Sequence, residues 1–270
     1  MNLDGKTTVV TGAAGGIGAA LARRFHAAGA RVVVADRDGD RLAQVAAELN
    51  AARPNSALAV VADVSSEQGN IDLIDAARNA FGFIDLFFAN AGVAVGTTLE
   101  DTDEATWNMV MNINTHAHRW AAKHLMGEWL AAGEGYFCST ASAAGLLSQI
   151  GSGTYSVSKH AAVAFAEWLS ITYGDRGIKV TTLCPQGVNT NMLNPPDAGG
   201  IANTGGSAVK ASGDVLEPAQ VADIVYEHIL AEKFLVMPHA EVHTYEQRKV
   251  ADRDRWLAGM RRLQAKVAGY

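Results

Sequence analysis

Two hydrophobic rhythms alternate along the chain. Short β-branched runs such as Thr7-Thr8-Val9-Val10 and Arg31-Val32-Val33-Val34-Ala35-Asp36 stand between longer segments whose apolar residues recur at helical spacing. The first run breaks at Thr11-Gly12-Ala13-Ala14-Gly15-Gly16-Ile17-Gly18 and continues into Ala19-Ala20-Leu21-Ala22-Arg23-Arg24-Phe25, which predicts strand, glycine turn and helix, the helix stopping at Gly29. Uninterrupted valines at 32–34 predict a strand covered on both faces.

The exchange continues with a helix over 40–50, a strand over 57–61, a helix over 70–81 and a strand over 85–89. A long helical stretch over 103–130 follows, then strand 135–138, helix 155–173 and strand 179–183. Strands and helices repeating at this spacing predict an α/β chain, a single-domain doubly wound parallel sheet (Rossmann fold) with helices on both faces. Residues 189–213 lack periodicity and carry two prolines and five glycines. A loop of that length reads either as a substrate loop covering the C-terminal ends of the strands or as a disordered insertion. A helix over 218–230, a strand over 234–236 and an amphipathic helical tail over 241–267 complete residues 1–270, with no linker or repeat dividing them.

Composition narrows the function. Fifty charged residues in 270, 49% apolar residues and only 6 prolines describe a globular chain. A net charge of −6, with no basic block interleaved with aromatics, predicts no nucleic-acid partner. No apolar run reaches membrane-spanning length, and the N-terminus does not read as a signal peptide. Cys138 and Cys184 are too few for a disulfide framework and have no C-x-x-C spacing, so a cytoplasmic protein with reduced thiols is expected.

Gly12, Gly15, Gly16, Ile17 and Gly18 lie where a strand turns into a helix, so backbone N–H groups and the positive helix end can meet a pyrophosphate. Asp36, eighteen residues beyond Gly18, stands where a carboxylate accepts both ribose hydroxyls and repels a 2′-phosphate. That favours NAD over NADP. Arg37, next in sequence, could instead attract the phosphate or stack on adenine. Further on, Tyr155-Ser156-Val157-Ser158-Lys159 sets a phenol and an ammonium four residues apart on one helix face, where the cation can help the phenol act as a base.

With Asp63-Val64 after the third strand, Asn90-Ala91-Gly92 after the fourth, Asn114 seven residues after Trp107, and Ser142 thirteen before Tyr155, the chain resembles the classical short-chain dehydrogenase/reductase family over essentially its whole length. The resemblance implies Tyr155 as general acid/base, Ser142 orienting the substrate oxygen, and Lys159 lowering the Tyr155 pKa and binding the nicotinamide ribose. Asn114 would hold a water linking Lys159 to solvent, with Asn112 the alternative at that position. It also implies that Asp63 and Val64 bracket adenine, that Asn90, Ala91 and Gly92 pass the ribose, and that Pro185, Gly187, Val188 and Thr190 contact the cofactor. Gln186 departs from the family pattern by separating proline from glycine, and reads either as a substrate contact or as a loop variant. The family's habit further implies a homo-oligomer, a tetramer.

Leu146, Ile150, Met192, Leu193 and Ile201 are the apolar candidates to face a substrate beside Ser142 and Tyr155. His239, Glu241 and His243 lack the order of a zinc helix and read as a surface turn, and His116 and His118 point to different helix faces, so no metal is expected. The expected function is an NAD-dependent oxidoreductase interconverting a secondary alcohol and a ketone on a small or medium, largely apolar substrate. The alternatives are an NADP-linked carbonyl or 3-oxoacyl reductase and a non-catalytic dinucleotide-binding regulatory protein.

Overall fold

A computed structural model describes residues 1–96, 98–193 and 213–269. Seven parallel strands form its main sheet: β1 (Thr7–Thr11), β2 (Arg31–Asp36), β3 (Ala57–Val61), β4 (Leu86–Ala89), β5 (Gly135–Thr140), β6 (Ile178–Leu183) and β9 (Leu235–Val236). Their order is β3-β2-β1-β4-β5-β6-β9. The strand order reverses between β1 and β4, and there the crevice at the C-terminal strand ends is open to a ligand. A second, two-stranded sheet pairs β7 (Gly187–Val188) with β8 (Val215–Leu216), which the sequence pattern did not reveal because each strand is two residues long.

Alternate strand residues feed two cores. Val32, Val34 and Phe88 meet α1 (Gly16–Ala27), α2 (Gly39–Ala52) and α8 (Pro218–Leu230) through Leu21, Phe25, Leu42 and Val225. Val33, Phe87 and Phe137 pack on the opposite face against Leu73 of α3 (Glu67–Phe81), Leu125 and Trp129 of α5 (Ala117–Ala132) and Leu169 of α7 (Gly153–Tyr173). This is the two-sided burial that the valine run predicts. Side-chain caps set several helix starts: Asp38 accepts the Arg41 N–H, Ser66 that of Gly69 and Asp103 that of Thr106.

The stretch expected as one long helix over 103–130 is continuous but not uniform. Helix α4 (Glu104–Met111) passes into α5 through a wider π turn at Asn112–His116, and Asn114 sits in that turn. Ser142 caps a short helix, α6 (Ala143–Leu146), that strand and helix periodicity over so few residues could not show. The C-terminal tail is two helices rather than one, α9 (Ala240–Ala251) and α10 (Arg253–Ala268). Asp252 between them is extended, and its carboxylate accepts the Arg255 N–H, so it caps the second helix instead of continuing the first. Among the described residues no helix is long and apolar enough to cross a membrane.

Candidate active site

The glycine turn is built by close approach. Gly12 has φ +66°, in the left-handed region that favours glycine, and a Cβ there would lie 2.9 Å from the Ala91 Cα. A Cβ on Gly18 would overlap the Gly12 carbonyl and sit 2.7 Å from Asn90 Nδ2, so helix α1 can pack this near the turn only with a bare residue. Thr11 ties the turn to β4: its Oγ1 accepts the N–H groups of Asn90 (2.9 Å) and Ala91 (3.0 Å), and its carbonyl accepts from Asn90 Nδ2 at 2.9 Å. Asp36 closes the other side. One carboxylate oxygen accepts the Ala14 N–H at 3.1 Å and the other accepts from the N–H groups of Arg37 and Asp38.

The second half of the site stands on β5, α6 and α7. Lys159 is buried, and its Nζ donates to the Thr140 carbonyl at 2.8 Å, 5.7 Å from the centre of the Tyr155 ring. Burial pulls its pKa down to about 8. Thr140 Oγ1 donates to Asn90 Oδ1 at 2.9 Å, so hydrogen bonds run from Lys159 through Thr140 and Asn90 to Thr11 and the glycine turn. The Ser142 side chain acts on the Tyr155 phenol in the sense that favours the phenolate. Ser142 Oγ also accepts the Ala144 N–H at 3.1 Å and makes a long bond to the Pro185 carbonyl, 3.4 Å. Burial raises the Tyr155 phenol above its ordinary value, and the Ser142 interaction offsets this only in part. The direction is opposite to the lowering expected from Lys159, because removal from water outweighs the Ser142 interaction and Cys184 adds to the rise.

Asn114 is fully buried behind this wall. Its Oδ1 accepts the Val93 N–H and its Nδ2 donates to the Val93 carbonyl, both at 2.9 Å, and to Ser158 Oγ at 3.0 Å. A Cβ on Gly92 would lie 3.3 Å from both Asn114 Oδ1 and Lys159 Nζ, so it is Asn114 that stands beside the lysine across the bare face of Gly92.

Both halves open into one cleft of about 850 Å³. Gly12, Gly15, Gly16, Ile17, Gly18 and Asp36 line one end, and Asn90, Ala91 and Gly92 its floor. Ser142, Tyr155, Lys159 and Pro185 line the other end, Gln186, Val188, Met192 and Leu193 also line the cleft, and Thr190 stands against Gly16. Other candidates do not line the cleft. Arg37 and Asp63 are exposed beyond the cleft wall, the Asp63 carboxyl held low by Ser65 and, less, by the Arg37 charge. Val64 is buried in the core on the α3 face. Leu146 packs on the cluster of Ala143, Leu147 and Val242, which Met237, Tyr245 and Trp256 of the C-terminal segment also cover, rather than lining the cleft, and Ile150 does not line it either. The Gly187 carbonyl is taken by His239, and Ile201 lies outside the described residues, as do residues 194–212 of the loop.

Sequence reading missed Asp38 and Arg41, which line the cleft next to Asp36 and pair with each other at 3.3 Å. A basic residue in the first turn after the second strand was the available signal. His239 is not part of a surface turn. It is buried, its Nδ1 accepting the Gln186 N–H at 3.1 Å and its Nε2 donating to the Gly187 carbonyl at 2.9 Å. Burial of an imidazole that holds two backbone groups of a loop is invisible to helical spacing. Among the described residues no group of three His, Cys, Asp or Glu side chains is placed to hold a metal ion.

Residues 6–199 match the family described as short chain dehydrogenase. The chain is 36% identical over 245 residues to a 1-deoxy-11-beta-hydroxypentalenate dehydrogenase of Streptomyces exfoliatus, spanning 89% of this chain and 86% of the relative. It is 33% identical over 194 residues to a meso-2,3-butanediol dehydrogenase of Serratia marcescens, spanning 72% of this chain and 76% of that one. A crystal structure of a short chain dehydrogenase/reductase from Burkholderia phymatum in complex with NAD superposes with a TM-score of 0.86 at 29% identity, covering 94% of this chain and 96% of the other.

Proposed function

The chain belongs to the short-chain dehydrogenase family, as an oxidoreductase acting on CH–OH groups, and we propose that it uses NAD to interconvert a secondary alcohol and a ketone on a small or medium, largely apolar substrate. The observation that carries this reading is the single cleft joining the glycine turn and Asp36 to Ser142, Tyr155 and Lys159. We read residues 1–270 as one domain serving that cleft.

The residues present fit a nicotinamide dinucleotide. Gly15, the N-cap of α1, has open space where a Cβ would stand and lines the cleft, so a phosphate can approach the backbone where the helix end favours its charge. Asp36 offers its carboxylate at the β2 end, where ribose hydroxyls can donate to it and a 2′-phosphate is repelled. When bound, the nicotinamide supplies a hydride acceptor or donor. The protein's part is to move the proton. In oxidation Tyr155 takes the proton of the substrate hydroxyl, and in reduction it returns one, with Ser142 hydrogen-bonded to the same oxygen. A Lys159 pKa near 8 suits a group that stabilises the phenolate and exchanges protons near neutrality, and Asn114 beside it would hold the relaying water. Met192, Leu193, Ala143 and Ala144 give the substrate end apolar walls, with Gln186 as its polar contact. Two relatives named as dehydrogenases of hydroxylated compounds support the alcohol reading.

Arg41 favours a second reading, an NADP-linked carbonyl or 3-oxoacyl reductase, because it brings a cation to the Asp36 end of the cleft. Its pairing with Asp38 reduces that attraction. Calorimetric titration with NADH and NADPH side by side decides between them, tighter NADH binding supporting the first reading. Turnover of secondary alcohols from 2-butanol to cyclododecanol by wild type and Tyr155→Phe then tests the chemistry, and binding without any turnover would overturn it. We also infer a cytoplasmic homotetramer: the buried free thiols Cys138 and Cys184 suit a reducing compartment, and α7 exposes Trp168 and Ile171. Light scattering of the purified protein tests the subunit number.

A further inference from the structure

Lys249 on α9 is buried, yet among the described residues no carboxylate bonds its ammonium. Its Nζ donates to the carbonyls of Leu146 (2.6 Å) and Leu147 (2.8 Å). The third partner is His160. His160 Nδ1 lies 2.8 Å from the Ser156 carbonyl and must donate to it, so in the neutral ring Nε2 carries no proton and accepts from Lys249 at 3.3 Å. Three ammonium protons thus meet three acceptors. Burial lowers the lysine's pKa, with Arg253 acting the same way and Glu246 against it, so the arrangement exists in spite of a cost in solvation.

Its acceptors lie on the two elements of the proposed chemistry. Leu146 and Leu147 close α6, whose cap is Ser142, and His160 follows Lys159 on α7. Between them Gln149, Gly151 and Ser152 line the substrate end of the cleft, and the Gln149 N–H donates to Ser156 Oγ at 2.8 Å. Val242 forms one buried cluster with Ala143 and Leu147, and Tyr245 and Trp256 pack on that cluster, seating the tail on the same turn. We propose that Lys249 is a positioning residue that clamps the α6 turn to α7, so that the C-terminal helices set the spacing of Ser142 and Tyr155 and the shape of the substrate wall. This rests on the oxidoreductase reading of the cleft.

Hydrogen–deuterium exchange on the full chain tests the clamp without a substrate. Lys249→Met keeps the reach and removes the donors, and Lys249→Arg keeps donors. In Lys249→Met, amides of 143–152 should exchange about 10-fold or more faster while those of 12–18 and 86–92 hold their rates, with Lys249→Arg between this variant and wild type. Unchanged exchange at 143–152, or faster exchange throughout the chain, would overturn the proposal. On the panel alcohol that wild type turns over, Lys249→Met should raise KM or lower kcat by about 10- to 100-fold while NADH affinity stays within about twofold. Parallel loss of NADH affinity, or wild-type kinetics, counts against it. If Lys249→Met does not fold, the same comparisons are made with Lys249→Arg, which should show smaller changes confined to 143–152. A wild type inactive on every alcohol sinks the functional reading and leaves exchange to decide the clamp.

Discussion

Lys159 and Thr140 are joined by a 2.8 Å hydrogen bond from ammonium to carbonyl, and this bond holds a buried cation whose pKa is pulled from 10.5 down to about 8. The unfolded chain therefore binds this proton more tightly than the folded one. Below pH 8 the burial penalty is present in full, and it is relieved as pH rises from about 8 to about 10.5. Lys159→Met lacks that slope. Urea unfolding at pH 7 and pH 10 should show the stability difference between wild type and Lys159→Met moving in favour of wild type, by up to about 3 kcal/mol.

Tyr155→Phe removes the hydroxyl that the Ser142 side chain acts on and leaves the ring. Catalytic turnover should fall by about 10²- to 10⁴-fold with NADH affinity within about twofold. Because burial raises the phenol's pKa, wild-type ketone reduction should hold through neutral pH and decline as the proton is lost in alkali, while alcohol oxidation climbs with pH. Rate profiles in both directions check the sign, and a rising reduction limb would contradict it.

Asp36 sits at one end of the cleft with Ala14, Arg37 and Asp38 N–H groups around its carboxylate. Asp36→Ala should weaken NADH binding by roughly 10- to 100-fold, the value of charged hydrogen bonds worth about 1.5–3 kcal/mol, and narrow the gap to NADPH. Calorimetry with each cofactor measures both effects.

Gly18→Ala would place a methyl group against the Gly12 carbonyl. Backbone cannot swing aside as a long side chain can, so the turn must open. Dinucleotide binding should drop by at least about tenfold, with overpacking lowering stability by about 1–3 kcal/mol. Fluorescence titration and thermal unfolding on one sample separate the two losses.

His239→Leu leaves the Gln186 N–H and the Gly187 carbonyl without their imidazole partner. With about 1–3 kcal/mol for each of the two buried groups left unpaired, unfolding free energy should fall by about 2–6 kcal/mol. Denaturant titration checks this, and a change under 0.5 kcal/mol, ordinary for a surface substitution, would return His239 to that class.

Much of this protein was legible in its sequence because the deciding interactions are local. Hydrophobic runs at sheet or helix spacing mark β2 at Arg31–Asp36 and α8 at Pro218–Leu230 to the residue, since period and punctuation carry the fold of such segments. The glycine turn was readable because close backbone approach excludes a side chain whatever surrounds it. Tyr155 and Lys159 were readable because four residues of helix bring two groups to one face. The tertiary structure decided what depends on contacts between distant residues. Leu146 packs on the cluster of Ala143, Leu147 and Val242 and not into the cleft, His239 is buried against a loop 52 positions away, and Lys249 reaches carbonyls 102 and 103 positions back. Arg41 meets the cleft through the packing of α2. Such partners are chosen by how helices dock on the sheet, and polar groups leave no periodic trace along the chain that would say where their hydrogen bonds go.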